Sequence, residues 1–167
     1  MVPGRLPFDP IEEARRQWVA HGWDDAADGM AAVTSVMRAE QIFLARVDEV
    51  LRPFKLTFAR YEALMLLSFS REGSLPLGKV GQRLQVHPTS VTNTIDRLEA
   101  QGFARRVPHP TDRRTTLAEI TDAGRSVAEE ATKAVNAGVF TATGLTPGDQ
   151  AELSRLLRKL RRSAGDF

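Results

Sequence analysis

Seven basic side chains fall between positions 79 and 114: Lys79, Arg83, Arg97, Arg105, Arg106, Arg113 and Arg114, against three acids, Asp96, Glu99 and Asp112. The segment carries +4, whereas the whole chain of 167 residues carries only +2, so everything outside the segment is slightly acidic. Lysine and arginine gathered in this way neutralise phosphates and release counterions, which is the sequence-independent part of nucleic-acid affinity. The stretch from Pro88 adds groups able to read bases. At about 100° per residue, Val91, Ile95 and Leu98 share one side of a helix. Thr89, Asn93 and Arg97 lie opposite, with Ser90 and Thr92 on the flanks. Short hydroxyls, an amide and a guanidinium approach base edges and phosphates in a major groove; Asn suits adenine and Arg suits guanine, and either can hold a phosphate instead. A merely solvated helix face has the same polarity, and the basic hairpin that follows is what favours the nucleic-acid reading. In that hairpin Pro108 and Pro110 stiffen a tip from which Asp112, Arg113 and Arg114 return. An arginine on a narrow tip can enter a minor groove, where the negative potential is enhanced, with Asp112 expected to orient the guanidinium. The plain alternative is a surface salt bridge in a turn.

Other chemistries are poorly supplied. There is no cysteine, which removes disulfides, thiolate zinc sites and thiol redox switches. The three histidines, His21, His87 and His109, are scattered; no nucleophile–base pair and no phosphate loop can be found, and His109 with Asp112 is too sparse for a metal site. No catalytic residue, metal or cofactor is expected. No apolar run reaches the roughly 18–20 residues of a membrane span, and Met1–Pro10 lacks the apolar core of a secretory signal. The expectation is a soluble, cytoplasmic chain with no membrane partner. At 42% apolar and 26% charged residues, its composition is that of a globular protein long enough to bury a core.

The elements that must hold these groups follow from punctuation and periodicity. Asp9, Pro10 and Glu12 open a helix to about Ala20, as a cap, a first-turn proline and a capping-box acid. A long helix over 26–51 carries Val33, Met37, Leu44, Val47 and Leu51 in one stripe, with Val36, Phe43 and Val50 beside it. That apolar surface is wider than a one-sided helix needs, so the helix packs on two sides, within the chain or against a partner. Thr57 is the expected cap of a helix over 58–69 that turns Tyr61, Leu64, Met65 and Phe69 inward. Residues 75–77 suggest a third strand on a small hairpin. A short helix, 78–84, and the polar-faced helix from Pro88 to Gln101 form a helix-turn-helix. Strands at 103–107 and 115–120 follow. Thr121 caps a helix to about Phe140, and Thr146 with Asp149 opens a last one striped by Leu153, Leu156, Leu157 and Leu160.

Three stretches, Leu-Gly-Lys-Val-Gly-Gln-Arg-Leu (77–84), Pro-Thr-Ser-Val-Thr-Asn-Thr-Ile-Asp-Arg-Leu-Glu-Ala-Gln-Gly (88–102) and Asp-Arg-Arg-Thr-Thr-Leu-Ala-Glu-Ile-Thr-Asp-Ala-Gly (112–124), resemble the winged helix-turn-helix of the MarR (multiple antibiotic resistance regulator) family. The last fits the family's Asp-x-Arg wing signature, and the flanking helices match in order. The resemblance implies a mainly α fold with a small β-hairpin wing. It also implies dimerisation helices over 26–54 and 121–167, a DNA-binding domain over 55–120, and an N-terminal extension over 1–25. Gln85 stands where the family usually has Gly, and His87 where it usually has Ser. The implied function is that of a homodimeric transcriptional regulator, in most members a repressor, that binds a pseudo-palindromic operator in double-stranded DNA through Thr89, Ser90, Thr92, Asn93, Arg97, Asp112, Arg113 and Arg114. A small aromatic or anionic effector would release it. The extension with Trp18 resembles the urate-responsive branch; Glu62 and Thr94 stand where that branch has Asp and Arg. Trp18, Tyr61 and Glu62 are thus the implied effector residues, each with packing or surface exposure as its plain alternative. The competing functional reading is a ligand-binding helical dimer whose winged helix no longer binds DNA.

Overall fold

The computed structural model describes residues 6–112 and 114–167; Arg113 lies outside the described residues. The chain divides into two compact units, residues 1–46 and 47–167. In the first, Asp9 lies in extended backbone, and its carboxylate accepts the amides of Ile11 and Glu12 at 2.8 and 3.4 Å, starting helix α1 (Pro10–Ala20). Glu12 turns toward Arg15, 3.9 Å away, instead of closing the capping box. Gly22, at φ +77°, reverses the chain into helix α2 (Asp24–Leu51). Arg15 binds Asp28 at 2.9 Å, and Trp18 meets Trp23 edge-on at 5.3 Å.

The second unit begins with the end of α2, where Val47 and Leu51 are buried. Pro53 converts the chain to a 3-10 turn over Arg52–Phe54. Helix α3 (Phe58–Ser68) follows, and its N-terminus departs from expectation. Thr57 makes no side-chain cap; the Asp48 carboxylate of α2 accepts the Phe58 amide at 3.0 Å. A charged acceptor supplied by a neighbouring helix satisfies an orphan amide more strongly than a hydroxyl does. Tyr61 and Leu64 face inward as expected, joined by Ala63 and Leu67, and Met65 is half-buried. Phe69 is 78% exposed, contrary to its predicted place. It caps the helix two turns beyond Tyr61 and about 80° around the axis from it.

Strand β1 (Ser74–Pro76), helix α4 (Leu77–Leu84), helix α5 (Pro88–Ala100), strand β2 (Ala104–Pro108) and strand β3 (Thr116–Ile120) build the centre of this unit. The sheet is antiparallel with order β1-β3-β2. Ala104 faces Ile120, Pro108 faces Thr116, and Leu75 faces Ala118. Leu64, Leu67, Val80, Ile95, Leu98 and Ala118 are sealed from solvent and form the core between helices and sheet. Helix α6 (Asp122–Val135) starts at Thr121, whose hydroxyl accepts the Gly124 amide at 3.0 Å. A Cβ at Gly124 would lie 2.0 Å from the Phe103 carbonyl oxygen, so only glycine lets α6 start this close to the chain entering β2. The continuous helix expected to Phe140 widens instead into a π-helical turn over Asn136–Phe140, where the Thr141 amide donates to the Asn136 carbonyl. Gly138 lies in this turn with Val50 3.0 Å from where its Cβ would be. Helix α7 (Pro147–Ser163) opens on a full capping box between Thr146 and Asp149. The architecture is mainly helical with a small three-stranded sheet whose β2–β3 hairpin is the wing: a winged helix-turn-helix.

Candidate nucleic-acid interface

Helix α5 is fixed by its apolar side. Val91, Ile95 and Leu98 are 3%, 0% and 0% exposed, which sets the rotation of the whole helix. The opposite face is therefore presented to solvent, and Thr89, Ser90, Thr92, Asn93 and Arg97 are all exposed. Two unusual residues build the turn before it. Gln85 takes the left-handed conformation at φ 54°, where glycine is the cheaper residue, and its side-chain amide donates to the Asp166 carbonyl at 2.6 Å. His87 caps the helix: its Nδ1 accepts the Thr89 amide at 3.2 Å, doing what a serine hydroxyl does at this position. The His87 cap thus stands in for the usual serine, whereas Gln85 keeps the backbone cost of a non-glycine residue at positive φ.

The wing loop is ordered by its own side chains. His109 Nδ1 accepts the amides of Thr111 and Asp112 at 3.3 and 3.2 Å. The Asp112 carboxylate accepts the Thr115 hydroxyl at 2.7 Å and the Arg114 amide at 3.0 Å. Those two bonds, the hydroxyl's first, hold its pKa below the ordinary carboxylate range. Asp112 was expected to orient an arginine guanidinium. Among the described residues it shapes the loop backbone instead, because amide and hydroxyl donors lie two and three residues along the chain. Arg114 is exposed and lines a groove of ≈ 500 Å³ between the wing and the start of α4, shared with Lys79 and Gln82. The sequence counts Lys79 among the seven basic residues but sets neither it nor Gln82 beside Arg114; the folding of α4 against the wing does that.

The positive charge is more selective than its total suggests. Arg105 pairs with Glu119 across the sheet at 2.5 Å, and Arg106 pairs with Asp96 and Glu99, both at 2.7 Å. Neither offers a free cation. Among the described residues Lys79, Arg83, Arg97 and Arg114 make no ion pair, and these are the charges left for an anion.

The residues implied for an effector are dispersed. Trp18 is half-buried in the first unit beside Trp23. Tyr61 is buried, stacks on Phe58, and its hydroxyl meets Thr132 Oγ1 at 3.0 Å. Since Thr132 gives its own proton to the Ala128 carbonyl, Tyr61 is the donor. Glu62 lies at the surface of α3 with its pKa raised by partial desolvation. A cleft of ≈ 500 Å³ opens between α3 and α6, lined by Met65, Phe69, Arg125, Thr132 and Lys133 among others. None of the three implied residues lines this cleft; Tyr61 lies behind it, bonded to Thr132, which does.

The MarR family model matches residues 56–116, from the start of α3's approach to the first residue of β3. Sco5413, a MarR family transcriptional regulator from Streptomyces coelicolor, is 52% identical in sequence; the match covers 84% of this chain and 97% of that one, with a TM-score of 0.77. The chain belongs to the MarR family. Sco3205, a second MarR family regulator from Streptomyces coelicolor, was solved in complex with DNA. It is 25% identical, with a TM-score of 0.72, over 82% of this chain and 88% of its own. The HTH-type transcriptional regulator YhbI of Bacillus subtilis (strain 168) is 34% identical over 85 residues, 51% of this chain, and the chain spans 54% of that curated relative's length. In MarR family terms α4 and α5 are the helix-turn-helix and β2–β3 the wing.

Proposed function

We propose that this chain is a homodimeric, sequence-specific DNA-binding transcriptional regulator, and that it represses until a small aromatic or anionic ligand releases it. The observation that carries the reading is α5, whose apolar side is fully used by the core while Thr89, Ser90, Thr92, Asn93 and Arg97 remain exposed. A helix locked in rotation with a polar face outward is what major-groove reading requires. The DNA-bound Sco3205 structure supports the same use of the fold. Arg114, with Lys79 across its groove, supplies the wing contact. The DNA-binding domain in this proposal is 55–120, with 26–54 and 121–167 as the dimerisation helices.

The dimer is supported by apolar side chains that one chain leaves uncovered: Val33, Met37 and Leu44 on α2, and Leu153, Leu156 and Leu160 on α7. The ligand is supported by the α3–α6 cleft, where Met65 and Phe69 offer an apolar wall to a ring and Arg125 a charge to a carboxylate. Trp18 and Glu62 are secondary in this reading.

Selection of bound sequences from random DNA, followed by affinity measurements across salt concentrations, tests the proposal. The expected product is a pseudo-palindrome with half-sites about one helical turn apart, bound less tightly as salt rises. Failure to enrich any sequence, or an aromatic acid that stabilises the protein while DNA is ignored, would favour the ligand-binding dimer with a silent wing.

A further inference from the structure

Among the described residues Arg106 is the most heavily engaged basic residue of the winged helix. It sits on β2, an edge strand, and reaches three places on α5. One guanidinium nitrogen, Nη1, lies 2.7 Å from Asp96 Oδ1 and 2.7 Å from Glu99 Oε2. The other, Nη2, donates to the Thr92 carbonyl at 3.4 Å. The Arg106 backbone amide donates to the remaining Glu99 oxygen at 3.0 Å. The three α5 partners span the helix from the turn that presents Thr92 and Asn93 to its last turn. The Arg106 side chain is 26% exposed, much less than that of its neighbour Arg105 at 63%. Glu99 uses one oxygen on the backbone of β2 and the other on its side chain, a two-point attachment that resists both sliding and rotation.

From this geometry we infer that Arg106 is a positioning residue for DNA recognition: it clips the wing to the reading helix so that α5 and the wing meet the two grooves as one preset body. The inference rests on the proposed DNA-binding function. It assigns Arg106 no phosphate, because its charge is already spent on two carboxylates. Fixing the spacing between the α5 face and Arg114 before binding removes an ordering cost from the bound state.

The two roles, positioning and direct phosphate contact, make opposite forecasts. Arg106→Lys, Arg106→Gln and Glu99→Gln are compared with the unaltered protein, measuring affinity for the selected operator and for random DNA over a range of salt. If Arg106 positions, all three variants weaken operator binding by roughly tenfold, random DNA is bound almost as before, and the salt slope is unchanged. If Arg106 instead holds a phosphate, lysine rescues, glutamine lowers the salt slope by about one, and Glu99→Gln strengthens binding by freeing the cation; that pattern overturns the inference, as does a set of unchanged affinities. A DNA-free measurement keeps folding and function apart. Hydrogen exchange should show the Arg106 amide losing protection in Glu99→Ala, which removes its acceptor, while the core amides of Ile95 and Leu98 keep theirs. Protection retained at Arg106 would refute the clip. Absence of any DNA binding by the unaltered protein would reject the proposed function even where the exchange result upheld the clip.

Discussion

Helices α5 and α7 carry equally clear apolar stripes and meet opposite fates. On α5, Val91, Ile95 and Leu98 are buried within the chain. On α7 no residue is buried, and Leu153, Leu156 and Leu160 are 38%, 49% and 56% exposed. The difference separates two meanings of amphipathicity. The first helix has its partner in the same chain, so its polar face is available for reading something else. The second has an apolar face still awaiting cover, which is where a second copy is proposed to bind.

The sharpest way to break the contrast is at α5. Ile95→Ala should cost roughly 2–5 kcal/mol of unfolding free energy, because it opens a cavity in a closed core; denaturant melts measure it, and a loss below about 1 kcal/mol would mean α5 is not anchored as described. On the polar face and wing the effect moves from folding to binding. Arg114→Ala should weaken DNA affinity by about 1–3 kcal/mol if it reads the groove, with the melting temperature unmoved; an equal loss of stability would make the residue structural. His87→Ala removes the α5 cap and should cost about 1 kcal/mol, whereas His87→Ser should hold stability near that of the unaltered chain.

Acid should loosen the wing loop at Asp112. The folded Asp112 carboxylate titrates below its unfolded value, so its contribution is fully present above the ordinary carboxylate pKa of about 4 and is lost as pH falls through the depressed folded value. Loop amides at Thr115 followed by NMR would report this, and Asp112→Asn should abolish the pH dependence. The smallest effect belongs to α7. Leu156→Ala should change the stability of a dilute, dissociated chain by no more than about 0.5 kcal/mol, yet reduce the concentration dependence of melting that a dimer confers. A large loss at high dilution would show that α7 is covered within one chain after all.

Much of the winged helix was legible because its signals are local. Pro88 and Gly102 bracket α5, and the Val91–Ile95–Leu98 spacing fixes its buried side. The polar face of the candidate site follows from that rotation by geometry alone. What the sequence could not show depends on pairings distant along the chain. Thr57 looks like a cap, but Asp48 performs that role from the preceding helix. Seven basic residues look like one positive surface until Glu119, Asp96 and Glu99 are found to neutralise Arg105 and Arg106. Lys79 joins Arg114 only because α4 folds beside the wing. Phe69 is apolar enough for a core, yet its position past the last turn of α3 turns it to solvent.

The strand order β1-β3-β2 leaves two open edges, and both are blunted. Pro76 ends β1 and Pro108 ends β2, each lacking an amide to offer an incoming strand. On β2 the amide of Arg106 is occupied by Glu99, and the charged Arg105 side chain projects beside it. Edges closed in this way deny a second copy of the wing the ladder bonds that would let two sheets join, so copies held close together keep their sheets separate.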